Sequence, residues 1–259
     1  MVGDTGLERL ADSTVAVIGL GGVGAVAAEM VARAGIGHMV IVDSDTVSET
    51  NLNRQTIAFN STVGKFKTDV VAGRVLDINP EIDLTVKNVY LTGENLPEIF
   101  AGFPSGGGPC YVIDAIDTLA PKLALIKYCF DNGIPTVSSM GAGAKYDVTR
   151  IRITDLSKSF NCPLAYIVRK KLRHMGVSKG VKVVFSEELP VQEAIVEMTP
   201  QEMEAASNKK SQTGTISYLP AAFGCACAQA AITELLRGGR IARKQGVSRA
   251  VARVEAYMI

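Results

Sequence analysis

The chain has 259 residues, of which 47% are hydrophobic and 20% charged, and this ordinary composition excludes a disordered, collagen-like or coiled-coil protein as a whole. Lys and Arg number 27 against 26 Asp and Glu, so a net charge of +1 gives no uniformly basic coat for nucleic acid. No stretch reaches the roughly 18 consecutive apolar residues of a membrane span, and the N-terminus, with Asp4, Glu8 and Asp12, does not look like a signal peptide. We therefore expect a cytoplasmic protein without a membrane partner.

Strands and helices alternate along the first part of the chain. The β-branched run at 14–19 predicts a strand, the glycine-rich segment after it a turn, and the small residues at 25–35 a helix packed on a sheet. The same patterns predict further strands at 38–43, 82–89, 110–117 and 135–139, and further helices at 63–79 and 121–132. This order predicts an α/β fold with a doubly wound, Rossmann-like and mostly parallel sheet, whose ligands bind at the carboxyl ends of its strands.

The second part of the chain predicts a C-terminal extension of strands and helices. Residues 150–186 have the pattern of two strands around a charged helix, and 219–236 that of a helix. Between them, six Glu residues and little periodicity predict a mobile crossover near 187–213. We divide the chain into a nucleotide-binding core at 1–150, a C-terminal part of the same domain at 151–238 and a tail at 239–259.

Four glycines mark the first candidate site. Gly19, Gly21, Gly22 and Gly24 follow a strand and open a helix, so that backbone N–H groups and the helix dipole can receive a phosphate. Asp43, nineteen residues after Gly24, is placed to bind a ribose hydroxyl. These residues predict an adenine-nucleotide site; taken alone they fit NAD more often than ATP, and a tight turn without a ligand is the remaining alternative.

The residues that follow favour ATP. Asn51, Arg54, Gln55 and Lys67 add two amides and two cations that a dinucleotide does not need and a triphosphate does. Asp117, after the fourth strand, can hold Mg²⁺. Such an array would stabilise pyrophosphate as it leaves during the attack of an acid on the α-phosphate, which is adenylation chemistry. Each residue singly fits a solvated loop cation or a helix-capping acid better, and it is their occurrence together that favours ATP.

The motifs GLGGVG, SDTVSETNLNRQ, VGKFK and DAID resemble, in order and spacing, the adenylation domain of the ubiquitin-activating-enzyme superfamily. This superfamily includes the bacterial enzymes that activate molybdopterin- and thiamine-pathway sulfur carriers. Within it, the resemblance is greatest to the branch that acts on threonylcarbamoyladenosine in tRNA, and it covers about residues 3–237. The segments that point to this branch are 51–55, 112–129, 134–159, 162–173 and 182–188.

The resemblance implies a role for each site residue. The four glycines would line the ATP phosphates, Asp43 would bind the ribose, and Asp117 would hold Mg²⁺. The phosphate contacts during adenylation would come from Asn51, Arg54, Gln55 and Lys67. Arg54, Lys67 and Asp117 would thus be the catalytic residues.

The resemblance also implies a reaction and partners. Enzymes of this branch adenylate the carboxylate of the threonylcarbamoyl group beside the anticodon, and the adenylate closes into a ring with release of AMP. Because the nucleophile belongs to the substrate, no enzyme cysteine is required. The same resemblance implies a homodimer and allows a cysteine-desulfurase or sulfur-acceptor partner. Family members usually carry an Arg-containing segment before the stretch seen here as 2–10, and we expect such an arm to help bind nucleotide.

The five cysteines predict neither a disulfide framework nor a structural zinc site, because they are odd in number and widely spaced. We expect Cys129, Cys225 and Cys227 to be buried within helices as small hydrophobic residues. Cys162, next to Pro163 at a predicted helix start, is the one cysteine whose reactivity we would test.

Two basic segments have open interpretations. His174 is surrounded in sequence by Arg169, Lys170, Lys171 and Arg173, which form either a solvated helix face or a contact with tRNA phosphates. From 237 to 259 the sequence has six Lys or Arg residues and a single Glu. This basic tail either guides a polyanion to the domain or is solvated without a role.

Three other functions compete with the tRNA-modifying enzyme. The first is an adenylyltransferase for a small ubiquitin-like sulfur carrier protein, which the missing paired CxxC motifs weaken. The second is an NAD-dependent oxidoreductase that uses the same glycine-rich turn. The third is a nucleotide-binding scaffold without catalysis, which Arg54, Lys67 and Asp117 argue against.

Overall fold

The alternating strands form one seven-stranded sheet in the computed structural model, which describes residues 1–104, 109–197 and 211–238. The strand order is β3-β2-β1-β4-β5-β7-β6, and all neighbours are parallel except β6, which runs antiparallel to β7. This arrangement confirms the doubly wound, mostly parallel sheet. Its strands are β1 Thr14–Ile18, β2 His38–Val42, β3 Asp83–Lys87, β4 Cys110–Asp114, β5 Thr136–Ser139, β6 Ile151–Asp155 and β7 Lys182–Ser186.

Helices cover both faces of the sheet, because successive side chains of a strand point to opposite sides. In β1, Val15 and Val17 pack with α2, α3 and α7, whereas Ala16 and Ile18 pack with α4 and α5. Helix α6 packs with α5 over the β7 end of the sheet. The helices are α1 Gly3–Ala11, α2 Gly24–Arg33, α3 Lys67–Ile78, α4 Leu96–Ile99, α5 Leu119–Asp131, α6 Pro163–His174 and α7 Tyr218–Arg237.

Helix α7 is the longest helix of the described residues, and it is long and apolar enough by composition alone to cross a membrane. Half of its most apolar window is buried inside the protein. A Cβ on Gly224, in the middle of α7, would lie 2.5 Å from the carbonyl oxygen of Val23, so the backbones of α7 and α2 approach closely. Such burial is typical of a core helix.

The structure corrects two predictions. Helix α3 begins at Lys67 rather than 63, because Phe66 is extended and forms a β-bridge with Thr46. The mobility of the crossover near 187–213 stays a prediction: its described part contains a short antiparallel pair, β8 Ile195–Glu197 with β9 Ser211–Thr213, while 198–210 and the tail at 239–259 lie outside the described residues. Cys225 is exposed, since it faces away from the side of α7 that buries Cys227.

Candidate active site

The glycine-rich turn joins β1 to α2 at the carboxyl edge of the sheet, and its backbone leaves no room for side chains at two positions. Gly19 has a left-handed φ of +88°, and a Cβ there would lie 2.9 Å from the carbonyl oxygen of Ala115. A Cβ on Gly24 would collide with the carbonyl oxygen of Gly19, so the turn requires glycine at both positions. A Cβ on Gly22 would lie 3.0 Å from Cβ of Pro220, a tight contact that a small shift of the proline would relieve.

Gly21 differs from the other three glycines because its side-chain position is open. The nearest atom to a Cβ there is Nε2 of Gln55, at 3.6 Å. Helix α2 begins three residues later, and no side chain caps its first turn. Uncapped N–H groups at a helix N-terminus can bind an anion, so the space beside Gly21 suits a phosphate.

Asp43 joins the end of β2 to the glycine-rich turn. Its Oδ2 accepts a hydrogen bond from the backbone N–H of Leu20 at 2.6 Å, and its Oδ1 accepts one from that of Asp45 at 2.8 Å. Each carboxylate oxygen keeps a second lone pair. Asp43 is therefore oriented beside the turn and can still accept a hydrogen bond from a ribose hydroxyl.

Gln55 is a buried polar side chain with an unpaired atom. It is 8% exposed, and among the described residues its Oε1 has no hydrogen-bond partner. Leaving such a group unpaired costs about 1–3 kcal/mol, so the position points to a ligand. A half-turn of the carboxamide would present its N–H donors to that ligand instead.

Asn51 has a structural role in the loop that carries these residues. Its Oδ1 accepts a hydrogen bond from the backbone N–H of Ser48 at 3.2 Å and so completes a capping box on the 3₁₀ turn Glu49–Asn51. The residue is 8% exposed. Asn51 therefore fixes the path of the loop between Asp43 and Arg54.

Arg54 lies next to the glycine-rich turn. Its carbonyl oxygen is 3.1 Å from the Cβ position of Gly22. Its Nη1 donates hydrogen bonds to the carbonyl oxygen of Thr50 at 2.8 Å and to Oδ1 of Asn53 at 2.7 Å. A guanidinium has five donors, so Arg54 retains others for phosphate oxygens.

Lys67 is the first residue of α3 and is only 6% exposed. Its Nζ lies 2.8 Å from Oδ2 of Asp45, whose side chain is 66% exposed. The backbone N–H of Lys67 also donates to the carbonyl oxygen of Asp45. A buried ammonium with one exposed partner can exchange that carboxylate for a phosphate without moving far.

A buried ion pair supports the loop that carries Asp117. Asp114 and Lys122 are both fully buried, and Lys122 Nζ lies 2.8 Å from Asp114 Oδ2 and from the carbonyl oxygen of Ile116. The hydroxyl of Ser138 donates to the same carboxylate oxygen. These bonds fix the backbone before Asp117, which is exposed at the carboxyl edge of β4.

Lys122, which supports the Asp117 loop, and Lys145, which lies between β5 and β7, are buried lysines that the sequence did not reveal. Lys145 is 4% exposed and donates from Nζ to the carbonyl oxygen of Ser186 at 2.8 Å. Burial lowers the pKa of Lys145. Glu188, 7% exposed, accepts hydrogen bonds from the backbone N–H groups of Asp147 and Tyr146 at 2.9 and 3.2 Å. The one sequence signal for Lys122 was a lysine inside an otherwise apolar helical run.

The site suits a metal that is held in part by its substrate. Within 1–104, 109–197 and 211–238 no group of three or more His, Cys, Asp or Glu side chains could hold a metal ion. Mg²⁺ is usually bound by one or two carboxylates together with water and substrate phosphates. As one exposed carboxylate at the carboxyl edge of β4, Asp117 would fit that pattern.

The fold places all the predicted site residues at the carboxyl edge of β1, β2 and β4. Contacts tie Asp43, Gln55 and Arg54 to the glycine-rich turn, and Lys67 to the segment that follows Asp43. The loop of Asp117 touches Gly19 through Ala115. The site residues so assembled are Gly19, Gly21, Gly22, Gly24, Asp43, Asn51, Arg54, Gln55, Lys67 and Asp117.

The chain belongs to the ThiF family, whose sequence profile matches residues 1–251. It is 40% identical to the tRNA threonylcarbamoyladenosine dehydratase of Bacillus subtilis over 93% of this chain and 94% of that protein. A crystal structure of the Escherichia coli tRNA N6-threonylcarbamoyladenosine dehydratase in complex with ATP is similar with a TM-score of 0.78 and 38% identity, over 91% of this chain and 90% of that one.

A relative from another branch is more distant. The molybdopterin-synthase adenylyltransferase of Escherichia coli is 33% identical over 61% of this chain and 61% of that protein. The similarity to the dehydratase of Bacillus subtilis therefore covers a larger share of this chain than the similarity to the adenylyltransferase does.

Proposed function

We propose that this chain is an ATP-dependent tRNA threonylcarbamoyladenosine dehydratase. The observation that carries the proposal is the near full-length similarity to dehydratases of that name, one of them solved with ATP, together with the array around the glycine-rich turn. The enzyme adenylates the carboxylate of threonylcarbamoyladenosine beside the anticodon. The adenylate then closes into a ring, so that the base loses one water in total.

The site binds ATP through its backbone and orients it with side chains. The turn around Gly21 and the uncapped start of α2 receive the phosphates, and Asp43 accepts a ribose hydroxyl. Arg54 and Lys67 provide the positive charge that pyrophosphate needs as it departs. Asn51 and Gln55 complete the array, Gln55 through its unpaired amide atom.

Mg²⁺ fits this chemistry, and Asp117 is the residue that would hold it. When bound, the ion would neutralise charge on the leaving pyrophosphate. The protein positions Asp117 through the buried network of Asp114, Lys122 and Ser138, which holds the Asp117 loop in place.

Ring closure needs no nucleophile from the protein. The attacking atom and the acyl adenylate belong to the same substrate group, which makes the step intramolecular. Cys162, the cysteine singled out for reactivity, is 4% exposed and lies at the N-cap of α6. We assign it no covalent role.

The test is conversion of the modified base. The protein is incubated with ATP, Mg²⁺ and tRNA carrying threonylcarbamoyladenosine, and the digested nucleosides are examined by mass spectrometry. We expect loss of one water and release of AMP, both slowed about 10²–10³-fold in Lys67→Ala. Pyrophosphate exchange driven by a carrier protein that ends in Gly-Gly, and not by modified tRNA, would instead establish the sulfur-carrier adenylyltransferase.

Assembly and location follow from the same proposal. We expect a cytoplasmic homodimer, and light scattering at micromolar concentration that gives a monomer would contradict the dimer. A cysteine-desulfurase or sulfur-acceptor protein remains a candidate partner that co-purification with such a protein would test.

A further inference from the structure

A cavity of about 400 Å³ lies at the N-terminal end of α6, away from the glycine-rich turn. Two aromatic side chains on its wall are half-exposed, Phe160 at 49% and Tyr166 at 58%. Its volume is within the range of ordinary ligand pockets. The residues used below from its lining are Ser159, Phe160, Cys162, Tyr166, Arg169 and Leu189.

The cavity opens at the same edge of the sheet as the candidate active site. Cys162 precedes α6, and its Sγ lies 3.7 Å from the Cβ position of Gly141, which follows the carboxyl end of β5. Nδ2 of Asn161 donates to the carbonyl oxygen of Glu187, just after β7, at 2.9 Å. Strands β5 and β4 are neighbours, and β4 leads into the Asp117 loop. A substrate that fills the active site can therefore reach the cavity along one edge.

The exposed face of α6 adjoins the cavity and is strongly basic. Lys170, Lys171, Arg173 and His174 are all exposed, and α6 contains no acidic residue. Within the described part of the chain none of these four side chains forms an ion pair. Tyr166, Lys170 and Arg173 follow each other at i, i+4 and i+7 and so share one stripe about 10 Å long.

Arg169 lies between the cavity and the basic face of α6, and its guanidinium already has partners within the protein. Its Nη1 donates to the carbonyl oxygen of Ser159 at 2.7 Å and to the hydroxyl of Ser159 at 2.8 Å. Its guanidinium lies 5.9 Å from the ring centroid of Tyr166. Arg169 therefore holds the turn before α6 and supports the aromatic ring, rather than offering a free charge.

Neighbouring carboxylates do not neutralise this face. Asp155, the nearest acid before α6 in the sequence, accepts hydrogen bonds from the backbone N–H groups of Ser157 and Gly180 at 2.8 and 2.7 Å. Glu187, beyond α6, pairs with Arg152 at 3.2 Å. The basic stripe thus faces solvent with its charge intact.

We propose that this α6 surface, made of Phe160, Tyr166, Lys170 and Arg173, binds the anticodon loop of the tRNA. One unpaired base stacks in the cavity on Tyr166 and Phe160, and the phosphates next to it lie along the cations of α6. Aromatic rings beside a row of cations are the features that bind single-stranded RNA. The proposal rests on the proposed function, since it names the surface that presents the same substrate to the active site.

The contact between the α6 cations and tRNA phosphates is tested by measuring the binding of tRNA that carries threonylcarbamoyladenosine. The measurement is fluorescence anisotropy across a series of salt concentrations. We expect Lys170→Gln/Arg173→Gln to weaken binding about tenfold at physiological salt and to reduce the slope of log K against log salt by about 1.4, or about 0.7 per phosphate contact. The matched control is Arg33→Gln/Lys127→Gln, which removes the same charge from the second halves of α2 and α5. We expect the control to bind as the unmodified protein does.

The stacking of a base on Tyr166 is tested by comparing the variants Tyr166→Ala and Tyr166→Phe. Removing the ring should weaken tRNA binding about tenfold with the salt slope unchanged, whereas the phenylalanine variant should retain the affinity. ATP binding by Tyr166→Ala, measured in parallel, shows that the fold is intact.

The outcomes separate the two proposals. Suppose that the protein without substitutions converts tRNA carrying threonylcarbamoyladenosine, but the α6 variants bind this tRNA as tightly as the control variant does. The proposal for the α6 surface is then wrong, and the proposed function stands. If the unmodified protein neither binds nor converts tRNA, both are wrong. If the α6 and control variants weaken tRNA binding equally, the effect is one of overall charge, and the proposal for the α6 surface is wrong.

Discussion

The two cations of the candidate active site are held in different ways, which gives them different tests. Lys67 is buried and paired with the exposed Asp45, so its ammonium is confined near the end of β2. Arg54 is partly exposed and bonds to its own loop through one nitrogen. Both charges are thus positioned before ATP arrives, which is the condition for electrostatic stabilisation of a transition state.

We predict that Lys67→Ala and Arg54→Ala each slow the chemical step about 10²–10³-fold while ATP affinity changes less. The reason is that the charge on pyrophosphate grows as the bond breaks. Single-turnover AMP formation and equilibrium ATP binding measure the two effects separately. Lys65→Ala, an exposed lysine two residues before Lys67, is the control and should be unchanged. Unaltered turnover in both site variants would refute their roles.

We predict that Lys122→Met destabilises the protein by about 3–5 kcal/mol, because it leaves the carboxylate of Asp114 buried without its partner. The double variant Asp114→Asn/Lys122→Met should recover much of that loss. Lys127→Met, on the same helix, breaks the exposed pair with Asp131 and should change stability by less than about 1 kcal/mol. Urea unfolding measures all three, and equal effects of Lys122→Met and Lys127→Met would contradict the buried network.

The sequence predicted the residues whose roles are local and missed those whose partners are distant. The glycines and Asp43 belong to one strand-turn-helix pattern, so spacing alone indicated them. Lys145 bonds to Ser186, 41 residues away, and its burial exists only after β5 and β7 pair. The structure leaves the catalytic roles of Arg54, Lys67 and Asp117 as predictions.

At the scale of elements, the contact between α2 and α7 sets the position of the glycine-rich turn. A Cβ on Gly224 would meet the carbonyl oxygen of Val23 at 2.5 Å and Cβ of Val26 at 2.9 Å. Val23 is the N-cap of α2 and lies within the turn itself. Any separation of the two helices therefore moves the phosphate-binding backbone.

We predict that Gly224→Ala destabilises the protein by about 1–3 kcal/mol through overpacking and weakens ATP binding as well. Gly73→Ala provides the matched control, because Gly73 is also inside a helix and has nothing within 4 Å of its Cβ position. That change should stabilise the protein by about 0.5–1 kcal/mol. Thermal unfolding with and without ATP measures both, and a neutral Gly224→Ala would show that the helices can separate freely.

The sequence predicted whether a segment is a helix or a strand where its apolar pattern was strong. It did not predict the residues at which these elements begin and end. The apolar positions at Val63 and Phe66 continue the helical spacing of α3, yet both residues belong to the loop before it. Pairing of Phe66 with Thr46 takes that segment out of the helix. Strands β8 and β9 are only three residues each, too short to show a period in the sequence.

At the scale of the whole molecule, the site is an edge of the sheet where loops from β1, β2 and β4 converge. The strand order places β1 between β2 and β4, which brings Asp43 and Asp117 to either side of the glycine-rich turn. Alternation along the chain predicted this parallel arrangement. It did not predict that β6 is antiparallel, because a strand-helix-strand order ordinarily joins parallel strands, whereas α6 here connects the antiparallel pair β6 and β7.

We predict that ATP with Mg²⁺ raises the melting temperature by roughly 5–10 °C at about a hundredfold excess over Kd, whereas NADH does not. Binding to the folded state alone stabilises it by mass action, and the cations at the site match a triphosphate. A thermal-shift series with both nucleotides measures this. Stabilisation by NADH and not by ATP would support the oxidoreductase instead.

The most direct test of adenylation on tRNA follows an oxygen atom. tRNA whose threonylcarbamoyl carboxylate carries ¹⁸O is converted with unlabelled ATP, and the AMP is examined by mass spectrometry. We predict that AMP acquires one ¹⁸O, because the carboxylate oxygen that attacks the α-phosphate leaves with it when the ring closes. AMP without the label, alongside converted tRNA, would contradict an acyl adenylate and with it the role proposed for this site.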